Sequence, residues 1–239
     1  VFFADYAQEE TDFETVSNLA GDAVRVLRRY SRYGKLAVVN TGYGGAGFRV
    51  CTVCGYAEPA PLSMPRPHPR RRGRSDETHT DPRTGRVCNG LIEAYHLGHE
   101  FITDVLELRF EGPQAQIGNR DLWLSVLYAL LEGASEALGI PRNDLNGTLY
   151  PYPGSVSPAL VLFDDVPGGA ALVRRVADNL PLVFRAAWRR VDRCECGEET
   201  SCYQCLRNYY NQHYHEQLRR GLARDFLAEV LTSAGQALY

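Results

Sequence analysis

The sequence has no apolar run approaching the ~20 residues that span a bilayer. It opens Val1-Phe2-Phe3-Ala4-Asp5, without the basic start and long apolar stretch of a secretory signal. It has no Gly-x-x-x-x-Gly-Lys-Ser/Thr loop to cradle nucleotide phosphates. Gly42 to Gly47 is glycine-rich but lacks the lysine, and reads as a turn. An excess of one charge is missing too. The formal net charge is −3, so any nucleic-acid contact must come from local basic patches. There is no internal repeat. There is also no initiator Met, which is read as the mark of a fragment of a longer protein.

What remains is an ordinary globular composition. Apolar residues make up 44% and charged residues 23% of 239, enough for one large domain or two small ones. The seven cysteines are odd in number and mostly grouped, which favours metal over disulfides and suits a reducing cytoplasm.

Hydrophobic spacing suggests the elements. Thr11 and Glu14 form a possible capping box, and Phe13, Val16, Ala20, Val24 and Leu27 follow at helical spacing. Strands are expected over Lys35–Asn40, Phe48–Val53, Asp104–Phe110, Thr148–Tyr152 and Ala159–Phe163. Helices are expected over Asp121–Leu138 (closed by Gly139), from near Gly169, over Leu180–Arg190 and over Glu216–Leu231. Residues 59–86, rich in Pro and Arg, are expected to form a partly disordered loop. The class is α/β, with α+β possible: a mixed sheet with flanking helices and two zinc knuckles. Residues 1–110 would hold the N-terminal helix, strands and first knuckle, and 111–239 a second domain.

Cys194-x-Cys196, five residues, then Cys202-x-x-Cys205 is the strongest signal. Four thiolates so close in sequence can close a tetrahedral shell around zinc and leave no position for a catalytic water. An iron–sulfur cluster or redox thiols would use the same residue type. Cys51-x-x-Cys54-Gly55 with Cys88 and His79 offers a second, looser set. His68, His96 and His99 compete with His79 for its fourth place.

Asp164-Asp165 ends a strand. With Asp104, Glu100 and His99 it would suit a metal-dependent nuclease; alternatively one Asp caps the helix that follows. Arg66, Arg70, Arg71, Arg72 and Arg74 could meet phosphates or simply be solvated. Arg207, Tyr209, Tyr210, His213 and Tyr214 could stack on single-stranded nucleic acid or pack on the cysteine knuckle.

The stretch Leu162-Phe163-Asp164-Asp165-Val166-Pro167-Gly168-Gly169-Ala170, followed by the four cysteines, resembles the MrfA-like zinc-binding domain. That domain occurs at the C-terminus of superfamily 2 DEAD/DEAH-type DNA helicases and in DrmB-like proteins of the DISARM antiphage system. Gly47 to Gly55, Cys88 and Leu97 to Leu106 resemble the region before it in longer members. Relatives carry Gly-Cys-Pro where this chain has Ser201-Cys202-Tyr203. The resemblance implies a zinc-binding accessory module of a helicase acting in DNA repair or antiphage defence. Its partners would be single-stranded or forked DNA, contacted by Arg70, Arg71, Arg72, Arg74 and Arg207, and a helicase motor in cis or as a separate subunit. A scaffold that docks the motor without touching DNA is the alternative.

Overall fold

The computed structural model describes residues 2–6, 12–62, 78–166, 168–236 and 238, with only the backbone course of 2–6. In chain order the strands are β1 (Phe2–Tyr6), β2 (Glu14–Ala20), β3 (Arg25–Asn40), β4 (Phe48–Cys51), β5 (Ala57–Pro59), β6 (His79–Thr80), β7 (Val87–Cys88), β8 (Ile92–Tyr95), β9 (Leu97–Glu111), β10 (Leu145–Tyr150) and β11 (Ala159–Asp164). The helices are α1 (Arg120–Leu138), α2 (Leu172–Asp178), α3 (Leu180–Asp192) and α4 (Arg220–Ser233). The chain divides into two compact units, one of residues 1–36 with 101–239, the other of 37–100. Mixed sheet and flanking helices agree with the α/β class expected.

The larger unit is built on a sheet of order β1-β3-β9-β11-β10, with β2 on β3. β11 pairs antiparallel with both neighbours, Leu162 facing Gly147 of β10 and Leu106 of β9. All six of its residues are buried. A strand covered on both faces needs a continuous apolar run, and Ala-Leu-Val-Leu-Phe supplies it. α1 begins where the Asn119 side chain accepts from the amides of Asp121 and Leu122, and ends at Gly139, whose φ of 61° a side chain would disfavour. From Leu122 to Ala134 it is buried all round. It joins α3, α4 and one face of the sheet in the main core, where Phe110, Trp123 and Phe226 stack edge to face or tilted. Leu36, Val105, Val161 and Phe163 form a smaller cluster.

The helix expected from Thr11 is not there. Glu14–Ala20 and Arg25–Asn40 are antiparallel strands. Val16 and Leu19 are both buried, three residues apart, because the β2–β3 register shifts between Thr15 and Ala20. Such an irregularity breaks the two-residue alternation and imitates helical spacing. Phe13 lies instead beneath the guanidinium groups of Arg29 and Arg109, at 4.4 and 4.1 Å. The last helix starts at Arg220, later than expected.

The smaller unit holds the sheet β5-β4-β8 and the hairpin β6–β7. Within it, Arg66, Arg70, Arg71, Arg72 and Arg74 lie outside the described residues, as does His68.

Candidate metal centre

α3 ends at Asp192, and the chain turns directly into Cys194. Cys194, Cys196, Cys202 and Cys205 bring their sulfurs within 4.8 Å of one another. Cys194 lies 3.4 Å from Cys202, Cys196 3.7 Å from Cys205, and Cys202 3.9 Å from Cys205. A tetrahedral ion with Zn–S of about 2.3 Å spaces its sulfurs about 3.8 Å apart, so the donor set fits zinc. None of the cysteines is in a disulfide. The knuckle is tightened by three amides, of Cys205, Leu206 and Arg207, that all donate to the Cys202 carbonyl.

Amide dipoles bias the thiols. Burial pushes the Cys202 thiol up, but the Gln204 amide and neighbouring groups outweigh it and leave it at about 7. Burial dominates at Cys196, which rises to about 11, and raises Cys205 further. One thiol is thus ready to be a thiolate near neutrality, while others ionise only when a cation compensates.

Two arginines tie this loop to the helices. Arg190 of α3 donates to the Cys205 carbonyl at 3.0 Å, and also pairs with Glu132 and Glu136 of α1. Arg220, buried at the start of α4, donates to the carbonyls of Gly197 and Val191 at 3.1 and 2.9 Å. Sequence reasoning missed both, because neither stands in a motif. Cys205 is fully buried in the main core and the other three cysteines pack against it.

Arg207 turns inward: it donates to the hydroxyls of Ser201 and Thr200 and to the His215 carbonyl. Tyr214 packs on Tyr128. Tyr203, Tyr209 and Tyr210 are exposed, at 63%, 74% and 65%.

Cys51, Cys54, His79 and Cys88 also converge within 4.8 Å. His96 and His99 are exposed and stand outside this group. Asp76-Glu77-Thr78-His79 spells the Asp-Glu-x-His letters of a helicase box, but the chain has no phosphate loop beside it and His79 is turned to Cys54. The Asp164 carboxylate is completely buried and accepts from the amides of Ala170, Leu172 and Val173. Asp104 accepts from the Ala171 amide and the Tyr30 hydroxyl. Both acids therefore serve the turn that opens α2. Gly169 sits in that turn with φ 75°, and a Cβ there would fall 2.1 Å from the Asp104 carboxylate. Asp165 is exposed, and its carboxylate accepts from the Asn146 side-chain amide at 3.2 Å.

Residues 126–206 match the MrfA Zn-binding domain family. The Druantia protein DruE of Escherichia coli (strain UMEA 4076-1) is 29% identical over 222 residues, covering 82% of this chain and 12% of that protein. The fold is similar to that of the DUF1998 helicase MrfA in its crystal structure bound to DNA, with a TM-score of 0.50 and 16% identity, covering 95% of this chain and 24% of that one. The chain therefore spans a small fraction of the proteins it matches. Among the described residues no helix is long and apolar enough to cross a membrane. The matched residues, 126–206, run from within α1 through the four-cysteine loop, so the similarity to the MrfA Zn-binding domain family takes in all four thiols.

Proposed function

We propose that this chain is the zinc-binding accessory part of a helicase-related protein, with Cys194, Cys196, Cys202 and Cys205 as a structural zinc site and the surface beside it as a contact for DNA. The carrying observation is a closed set of four thiols at tetrahedral spacing, inside the segment that matches the family. Zinc bound there would be saturated by protein, so its part is to hold the 193–219 loop, not to activate water. Tyr209 and Tyr210 lie within that loop with their rings exposed, as base-stacking side chains must be. The similar helicase MrfA, whose crystal structure holds it bound to DNA, supports this reading. DNA repair and antiphage defence are the settings the resemblance implies, and reduced thiols suit the cytoplasm.

A scaffold that docks the motor is the second reading. The inward turn of Arg207 favours it, since that guanidinium is already committed within the loop. The test is binding of the zinc-loaded chain to single-stranded and forked DNA across a salt series. Y209A/Y210A should weaken it at least about thirtyfold, since two stacked bases at roughly 1–3 kcal/mol each sum to about 2 kcal/mol or more. Unchanged affinity in that variant, or no DNA binding with capture of the motor intact, would favour the scaffold.

A further inference from the structure

We propose that Cys51, Cys54, His79 and Cys88 form a second structural zinc site, outside the segment that matches the family, and that this site replaces a hydrophobic core in residues 37–100.

The four donors come from two short pieces of backbone. β4 delivers Cys51, and the turn that follows brings back Cys54, with the Gly55 amide donating to the Cys51 carbonyl at 3.1 Å. In the hairpin β6–β7, His79 and Cys88 are direct cross-strand partners. The Arg83 guanidinium, from the hairpin's own loop, donates to the Cys54 carbonyl at 3.3 Å and fastens hairpin to knuckle.

The spacing is that of a coordination shell. The Cys51 and Cys88 sulfurs are 3.9 Å apart, and the Cys54 sulfur is 3.2 Å from His79 Nε2. A tetrahedral zinc asks for about 3.8 Å between sulfurs and about 3.6 Å between sulfur and nitrogen. The Val53 amide points at the Cys51 sulfur at 3.4 Å, and the Gly90 amide at the Cys88 sulfur at 3.3 Å, as suits thiolates. Gly90 is also required by the close approach: a Cβ there would fall 2.5 Å from the Cys51 sulfur. His79 Nδ1 is buried without a hydrogen-bond partner among the described residues. With Nε2 turned to the sulfurs and Nδ1 buried, the ring is placed as a ligand rather than as a solvated side chain. Three soft thiolates and an imidazole select zinc over magnesium or calcium.

Burial gives the reason a metal is needed. Among the described residues of this unit, Cys51 and Cys54 have the only buried side chains. No described residue of 37–100 enters either hydrophobic cluster. A short segment with no apolar interior cannot offset its chain entropy, and a metal clip is one of the few remedies. The four-cysteine centre differs: it is embedded in the main core.

The test is metal analysis of the full chain purified with zinc. Two zinc per chain are expected, falling to one in both C88S and H79A, while C202S removes the other. A wild type that holds one zinc, unaffected by C88S, overturns the proposal, as does iron in place of the second zinc. Should C88S fail to fold, H79C keeps the question open to measurement. It should retain two zinc, and its cobalt-loaded form should shift its visible bands to longer wavelength as sulfur replaces nitrogen. A cobalt spectrum that H79C leaves unchanged means that His79 is not a ligand, and overturns the assignment. Loss of DNA binding with both metals retained would count against the proposed function alone.

Discussion

The guanidinium of Arg220 donates to the carbonyl oxygen of Val191 at 2.9 Å, inside the protein. Val191 lies in the last turn of α3 and Arg220 begins α4, and the cysteine loop lies between them in sequence. The same guanidinium holds Gly197, so one side chain closes the loop that presents four sulfurs.

Arg220→Ala should therefore cost about 2–3 kcal/mol, the worth of charge-assisted hydrogen bonds plus carbonyls left unsatisfied. Thermal unfolding of the zinc-loaded chain checks this. Arg220→Lys should recover only part of the loss, since an ammonium cannot span both carbonyls as a planar fork does.

Asp164 and Asp165 are adjacent but should behave oppositely. Asp164→Ala removes the acceptor for three amides at the start of α2 and should cost about 2 kcal/mol. Asp165→Asn should change stability by no more than about 0.5 kcal/mol. Denaturant melts separate the two. A magnesium- or manganese-dependent nuclease activity that Asp165→Asn abolished would contradict the capping role as the main use of this pair.

Arg207→Ala should loosen the loop without changing the salt dependence of DNA binding. Its guanidinium is already bonded to Ser201, Thr200 and the His215 carbonyl. A phosphate contact would instead reduce the salt slope by about one. Comparing DNA affinity at several salt concentrations with the melting temperature distinguishes the roles.

Zinc affinity at the four-cysteine centre should rise with pH. In the metal-free chain Cys202 titrates at about 7 and Cys196 at about 11. Above pH 7 Cys202 is already largely thiolate, and zinc must displace the protons of the remaining thiols. Below pH 7 Cys202 surrenders a proton as well, so the dependence steepens on acidification. Calorimetry in buffers of different ionisation heat should find more protons released at pH 6 than at pH 8. Equal release at both would contradict these thiol environments.

Much of the larger unit was legible. α1 announced itself by its apolar spacing and Gly139, because a helix buried all round needs little from distant partners. β11 was legible because a doubly covered strand is apolar at every position. The N-terminal strands were not, because the irregular register between Thr15 and Ala20 breaks the two-residue alternation that marks a strand.

The sequence by itself determined the four-cysteine set and the Cys51–Cys54 pair: thiols a few residues apart in tight turns have little choice but to converge. Only the tertiary structure decided that His79, and not His96 or His99, joins Cys88, since that choice depends on a hairpin pairing. It alone turned Arg207 inward and brought Arg190 and Arg220 onto the loop, each reaching carbonyls 15 to 29 residues away. Local spacing carries information about a side chain's own turn or strand. The partners of a long charged side chain are set by which elements pack together, and no local pattern records that.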